Sequence, residues 1–269
     1  MLHAGRLPSL RSPVNRPSLR HLTRALTAIA SLLALQFAHA ADGITVVTEE
    51  LPPYNMTVDG KLTGMGTEVV EAVLAEVGEQ ARIQSMPWAR AYDIALNSEN
   101  VLIYSIARTP QREALFKWVG VIAPTRWSLF SLPGTQFDLK SLDDARQYQI
   151  ATVKEDVGEQ YLIDKGFAVG RNLQSSNKYE HNYEKLKAGR VDLWISNELN
   201  AHYLVRQASG NPHENAVSQL NLDDLGGADG LCMAFSRNTP DEVVERFREG
   251  LARLRADGRY DVIAARWLE

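Results

Sequence analysis

Between residues 44 and 106 three short apolar runs alternate with two amphipathic stretches, and this alternation restricts the fold more than any other feature. Residues 44–48, 81–86 and 101–106 read as strands. Val69, Val70, Val73, Leu74 and Val77 mark one helical stripe, ended by Gly78, and a second helix is predicted over 88–96. A β-α-β-α-β series closes most economically as a parallel sheet covered by helices. A second series follows: strands over 148–152 and 191–196, and helices over 157–165, 183–189 and 197–207. Two such units imply two lobes. Near the C-terminus, Thr239-Pro240-Asp241-Glu242 reads as a capping box ahead of an apolar stripe from Val243 to Leu254.

The third run carries the most chemistry. Val101-Leu102-Ile103-Tyr104 has the continuous apolarity of a buried strand. Ser105-Ile106-Ala107-Arg108-Thr109-Pro110-Gln111-Arg112 follows, so two arginines stand just past the strand's carboxyl end. Ligands of open α/β sheets bind there. A guanidinium offers a flat, permanently charged fork suited to a carboxylate. The alternative for either arginine is a surface pair with Glu113.

Residues 1–40 hold five arginines, no acid, an apolar run from Ala25 to Phe37, and Ala38-His39-Ala40. This is the pattern of a secretory signal peptide cleaved before Ala41, which predicts a periplasmic protein. The remaining 229 residues carry 24 basic and 33 acidic side chains, a net charge of −9. That balance argues against nucleic acid and anionic membranes as partners. Cys232 is the only cysteine, so no internal disulfide can form. His181, His202 and His213 lack metal-ligand spacing, and no nucleophile–base pair stands out, so no metal, cofactor or catalytic residue is assigned.

Four segments together resemble the extracytoplasmic solute-binding proteins of the polar amino-acid family. They are Pro52-Pro53-Tyr54 through Gly64, Pro87-Trp88, Arg108-Thr109-Pro110-Gln111-Arg112, and Ala256-Asp257-Gly258-Arg259-Tyr260-Asp261 ahead of Trp267. The resemblance implies an α/β, two-lobe periplasmic-binding-protein fold with two mostly parallel sheets joined by a two-segment hinge. The lobes would be 41–124 plus 231–269 and 129–226, with the hinge at 125–128 and 227–230. It implies a monomer that captures a small polar solute and hands it to an ABC transporter permease or a membrane sensor, without a cofactor. A periplasmic dehydratase-like enzyme on the same fold is the rival reading.

Carried over residue by residue, the resemblance makes Arg112 the carboxylate clamp and Trp88 an aromatic wall. Tyr54 falls in the loop at the mouth, and Ser105 at a strand end that offers polar contacts. Core packing is the competing role for the aromatics, and a local backbone bond for the serine. Other positions depart. Ala107 replaces a frequent serine or threonine. Glu155-Asp156-Val157 replaces a Gly-Thr-Thr-like turn, and Asp156 with Glu159 reads as a capping box. Asn197 stands in place of the aspartate that pairs with the ligand ammonium, and could equally cap a helix. Glu49 and Glu50 are the candidates for negative charge in its stead. These departures predict a solute other than an ordinary α-amino acid held in the family's usual way.

Overall fold

The computed structural model describes residues 43–211, 213–225 and 230–268. The first sheet has five strands in the order β4-β1-β5-β12-β6, formed by Ile83–Ser85, Thr45–Thr48, Val101–Ala107, Leu231–Ser236 and Phe116–Ala123. All seven residues of β5 and all six of β12 are buried, as central strands covered on both faces require. Helix α1 (Met65–Glu76) packs with α6 (Asp241–Ala256) against β6, and α2 (Trp88–Asn97) lies on β1, β5 and β12. Helix α7 (Arg259–Leu268) rests on α1 and α6. A small hairpin, β2 (Met56–Val58) and β3 (Lys61–Thr63), precedes α1.

The second sheet also has five strands, in the order β11-β7-β10-β8-β9. They are Val217–Asn221, Trp127–Ser131, Leu193–Asn197, Ile150–Val153 and Leu173–Ser176. Helices α3 (Val157–Asp164) and α4 (Tyr179–Lys187) pack on β8 and β10, and α5 (Glu198–Ser209) on β10 and β7.

The sheets are less parallel than the sequence pattern suggests. In each, two pairings are parallel and two antiparallel. The reason is connectivity. The chain leaves the first sheet by β6 and re-enters by β12, so these neighbours run in opposite senses. β7 and β11 stand in the same relation in the second sheet. The outward crossing runs through Pro124, Thr125 and Arg126. Of the expected hinge segment 227–230, residues 227–229 lie outside the described residues, as do the expected signal peptide and Ala41. Gly230 is described. It has φ 119, and a Cβ there would lie 2.2 Å from the Ala123 carbonyl oxygen, so Gly230 lies tight against the backbone where β6 ends and the outward crossing begins.

Two local expectations shift. The helix expected at 183–189 begins at Tyr179, because Asn182 sits buried within the stripe of Tyr179, Tyr183 and Leu186 and hides its periodicity. Thr239 does not cap α6: its hydroxyl pairs with Ser236, and the helix starts after Pro240, whose carbonyl accepts from Val243 and Val244.

The start of α1 is capped by backbone. Pro53 and Tyr54 carbonyls accept the amides of Met65, Gly66 and Thr67, which would otherwise be orphaned. This requires the loop to lie against Gly64, whose φ is 116 and where a Cβ would sit 2.5 Å from the Tyr54 carbonyl oxygen. Gly64→Ala therefore meets both a strained φ and a backbone clash. We expect it to cost about 1–3 kcal/mol or more, lowering the thermal midpoint by roughly 2–4 °C per kcal/mol. Thermal unfolding followed by circular dichroism checks this.

Candidate functional site

The site grows from the end of β5. The chain turns through Thr109 and Pro110, with the Arg112 amide on the Thr109 carbonyl at 3.0 Å. This turn folds Arg112 back under the strand end, where it is 1% exposed. Its guanidinium lies over two rings of α2, 5.4 Å from the Trp88 centroid and 5.0 Å from that of Tyr92. Those rings are four residues apart on one helix face and stack at 5.6 Å. Arg112 donates to the Ala107 carbonyl at 3.3 Å, the Glu155 carbonyl at 3.4 Å, and the Gln160 amide oxygen at 3.2 and 3.0 Å. The last two acceptors belong to the second lobe. Arg108 has the other fate considered for it: its fork is spent on Glu113 at 2.7 and 2.6 Å, half-exposed.

The turn after β8 supplies the opposing wall. Glu155 has φ 62, a left-handed conformation that glycine adopts most easily. Its carbonyl accepts from Trp88 Nε1 at 2.8 Å, Arg112 and Gln160 Nε2 at 3.1 Å, while its own side chain is exposed. Asp156 caps α3, accepting from the Val157 amide at 2.6 Å, and its other oxygen takes the Tyr179 hydroxyl at 2.6 Å. The expected capping box is displaced by one residue. Glu159 reaches the Glu155 amide at 3.0 Å and the Thr152 hydroxyl at 2.5 Å, not the Asp156 amide, which bonds the Val153 carbonyl.

Arg112, Trp88 and Asp156 thus come together. Tyr54 is a strut: it is fully buried and its hydroxyl donates to the Pro124 carbonyl at 2.9 Å, at the crossing. Glu50 is committed to the scaffold, its oxygens accepting from Thr57 and Ser85 at 2.6–2.8 Å. Ser105 has φ 59 at a bulge in the β5–β12 ladder, and its buried hydroxyl has no hydrogen-bond partner among the described residues. Asn197 caps α5, accepting from the Asn200 amide at 2.9 Å, while its buried Nδ2 has no partner among the described residues. Sequence reasoning missed Tyr92, Gln160, Tyr179 and Glu180. Tyr92 was within reach, because its spacing from Trp88 places both on one face.

Electrostatically, acidic side chains gather near the Arg112 guanidinium. Glu49, at the end of β1, is 3% exposed, and burial pushes its carboxyl well above the usual range, with Asp156, Glu180 and Glu50 adding repulsion and Arg112 opposing it. Burial likewise raises Asp156, against the pull of Tyr179, Arg112 and the Val157 amide. Arg112 is lowered by burial, against Tyr92, Asp156, Tyr179 and Glu49. Glu180 Oε2 is buried with no hydrogen-bond partner among the described residues. A cavity of about 390 Å³ opens beside Arg112, between Tyr92 and the Thr109–Arg112 turn on one side and Gln160, Tyr161 and Asp224 on the other.

The family profile of the bacterial extracellular solute-binding proteins, family 3, matches residues 44–269. The chain belongs to that family. No protein of curated function matches it by sequence. Among solved structures it is similar to a histidine kinase sensor domain with similarity to periplasmic binding proteins, with TM-score 0.74 and 21% identity over 84% of this chain and 96% of the other. It is also similar to an ancestral arginine-binding protein bound to arginine, with TM-score 0.73 and 18% identity over 86% and 100% of the two chains. The arginine-, lysine-, histidine-binding protein ArtJ from Geobacillus stearothermophilus gives TM-score 0.69 and 18% identity over 84% and 95%. At these identities the likeness is one of fold, and it establishes the two-lobe periplasmic-binding-protein architecture for this family member.

The buried acid gives a pH signature. A carboxyl whose folded pKa is raised binds its proton more tightly when folded. Its contribution to stability is therefore full below the ordinary glutamate value of about 4.3, and is lost as pH rises through the raised one. Glu49→Gln cannot ionise and escapes that loss. The variant should be more stable than the parent at pH 8, with the difference vanishing near pH 4. Denaturant unfolding across this range checks it.

Proposed function

We propose that this protein captures a small polar solute in the periplasm and presents it to an ABC importer. The observation that carries this reading is Arg112: a fully buried guanidinium at the junction of two lobes, whose accepting oxygens, from Ala107, Glu155 and Gln160, are all neutral. Such a group is suited to an incoming carboxylate. Trp88 and Tyr92 hold its plane and wall the cleft. Asp156 and Glu49 lie within electrostatic reach of Arg112, and Glu180 within reach of Glu49, which favours a solute that also bears a cationic group. That group would face these acids rather than Asn197, whose oxygen is spent on its own helix. The two lobes, built on the first and second sheets, close by hinge motion about the connections between the sheets, the outward one running through Pro124, Thr125 and Arg126.

Delivery to a membrane sensor is the second reading, favoured by the likeness to a histidine kinase sensor domain. Uptake of the solute by cells lacking this protein separates the two, since only an importer component is needed for accumulation. Export is part of both readings. N-terminal sequencing of periplasmic material should give Ala41 as the first residue, and an intact N-terminus would refute cleavage there.

Removing one partner of a desolvated charge pair costs roughly 2–5 kcal/mol. At about 1.4 kcal/mol per tenfold, Arg112→Ala should weaken solute binding by roughly 30-fold to several thousand-fold. Arg108→Ala should change it little, because its exposed pair with Glu113 lies on the turn's surface. Native mass spectrometry identifies what copurifies, and calorimetry with that compound measures both variants. Equal losses would show that the anchor is wrongly assigned.

A further inference from the structure

Arg112 has a rival partner inside the protein. Gln160 lies on α3, four residues after the Asp156 cap. Its amide oxygen takes Arg112 Nε at 3.2 Å and Nη2 at 3.0 Å. These two N–H groups form one edge of the guanidinium, the edge a carboxylate engages bidentately. The Gln160 amide nitrogen is held by the Glu155 carbonyl at 3.1 Å, so both ends of the amide are fixed. Gln160 is only half-buried, and with Arg112 it lines the cavity of about 390 Å³. The side chain therefore has room to turn aside.

We propose that Gln160 is an internal competitor for the solute's carboxylate. It satisfies the Arg112 edge with a neutral oxygen and must swing into the cavity when a ligand takes that edge. This rests on the reading of Arg112 as the carboxylate anchor. The consequence is selectivity. A neutral amide, ester or alcohol offers Arg112 nothing better than Gln160 already does. A carboxylate brings a full opposite charge and two oxygens that meet both N–H groups of that edge at once, and displaces it. Specificity is then set by a built-in alternative that weak acceptors fail to displace, as well as by attraction to the anchor itself.

The test uses the mature protein with ¹⁵N-labelled arginine. The Arg112 Nε–H resonance is assigned by its loss in Arg112→Lys, and sodium acetate and acetamide serve as minimal probes. In the parent protein acetate should shift that resonance and acetamide should not. In Gln160→Ala the acetate dissociation constant should fall about tenfold or more, the scale of a hydrogen bond to a charged group, and acetamide should now register. Gln160→Met keeps the length of the side chain, removes both amide atoms, and should behave as Gln160→Ala does, which covers a folding failure of the alanine variant. Gln160→Glu should abolish the acetate response. Equal acetate affinity in parent and variants overturns the competition and leaves the anchor standing. Weaker affinity in Gln160→Ala and Gln160→Met overturns it too, and makes Gln160 a positioning residue for Arg112. If acetate moves the Arg112 resonance in none of the proteins, the anchor reading falls and the competition with it.

Discussion

A guanidinium out of reach of water must be satisfied by the protein, and the organisation of the cleft follows from meeting that demand at Arg112. Its charge cannot be relieved by deprotonation at neutral pH, so donors have to find oxygens and its faces have to find π-electrons. The Thr109–Arg112 turn delivers it beneath β5, α2 supplies two stacked rings, and the second lobe supplies a carbonyl and an amide oxygen. Stripping partners from such a group leaves an uncompensated buried charge, a loss of about 3–5 kcal/mol. The two lobes are therefore joined at a point where neither is complete alone.

The acids around that charge act differently from a set of ion pairs. Glu49 and Asp156 are held above their ordinary pKa because burial outweighs the nearby guanidinium. A cationic group brought into the cleft would reverse part of that penalty and favour the ionised forms, so binding and proton release would be linked. Electrostatics here are a reserve that a suitable solute draws on, and no fixed bridge spends it beforehand.

Much of the scaffold was legible in the sequence. β5, α2 and the stripe of α1 announced themselves through unbroken apolarity or helical periodicity. The antiparallel closing strands did not, because β6 and β12 become neighbours only through the path of the chain between lobes. Within the site, legibility followed side-chain chemistry. Residue type and motif position singled out Arg112 and Trp88, which the fold places in contact, and equally Tyr54 and Glu50, whose polar atoms bond Pro124, Thr57 and Ser85. Gln160 was invisible, since nothing in a lone glutamine shows that a turn will aim it at an arginine across a cleft. Asn197 proved ambiguous in fact as well as in prospect: one end caps a helix and the other end has no partner among the described residues.

The Glu155 carbonyl is an acceptor that no side chain encodes. Trp88, Arg112 and Gln160 all converge on it, and what aims it is a left-handed φ of 62. Selection can therefore preserve the contact while the residue itself drifts. Glycine or asparagine would hold the same carbonyl at lower conformational cost, and the exposed glutamate side chain is free to serve solubility or nothing at all. A β-branched residue would be excluded, for backbone reasons alone. Within a lineage this position should vary in charge and polarity yet keep one steric class, a pattern that would look like neutrality to anyone comparing side chains and like strict constraint to anyone comparing backbones.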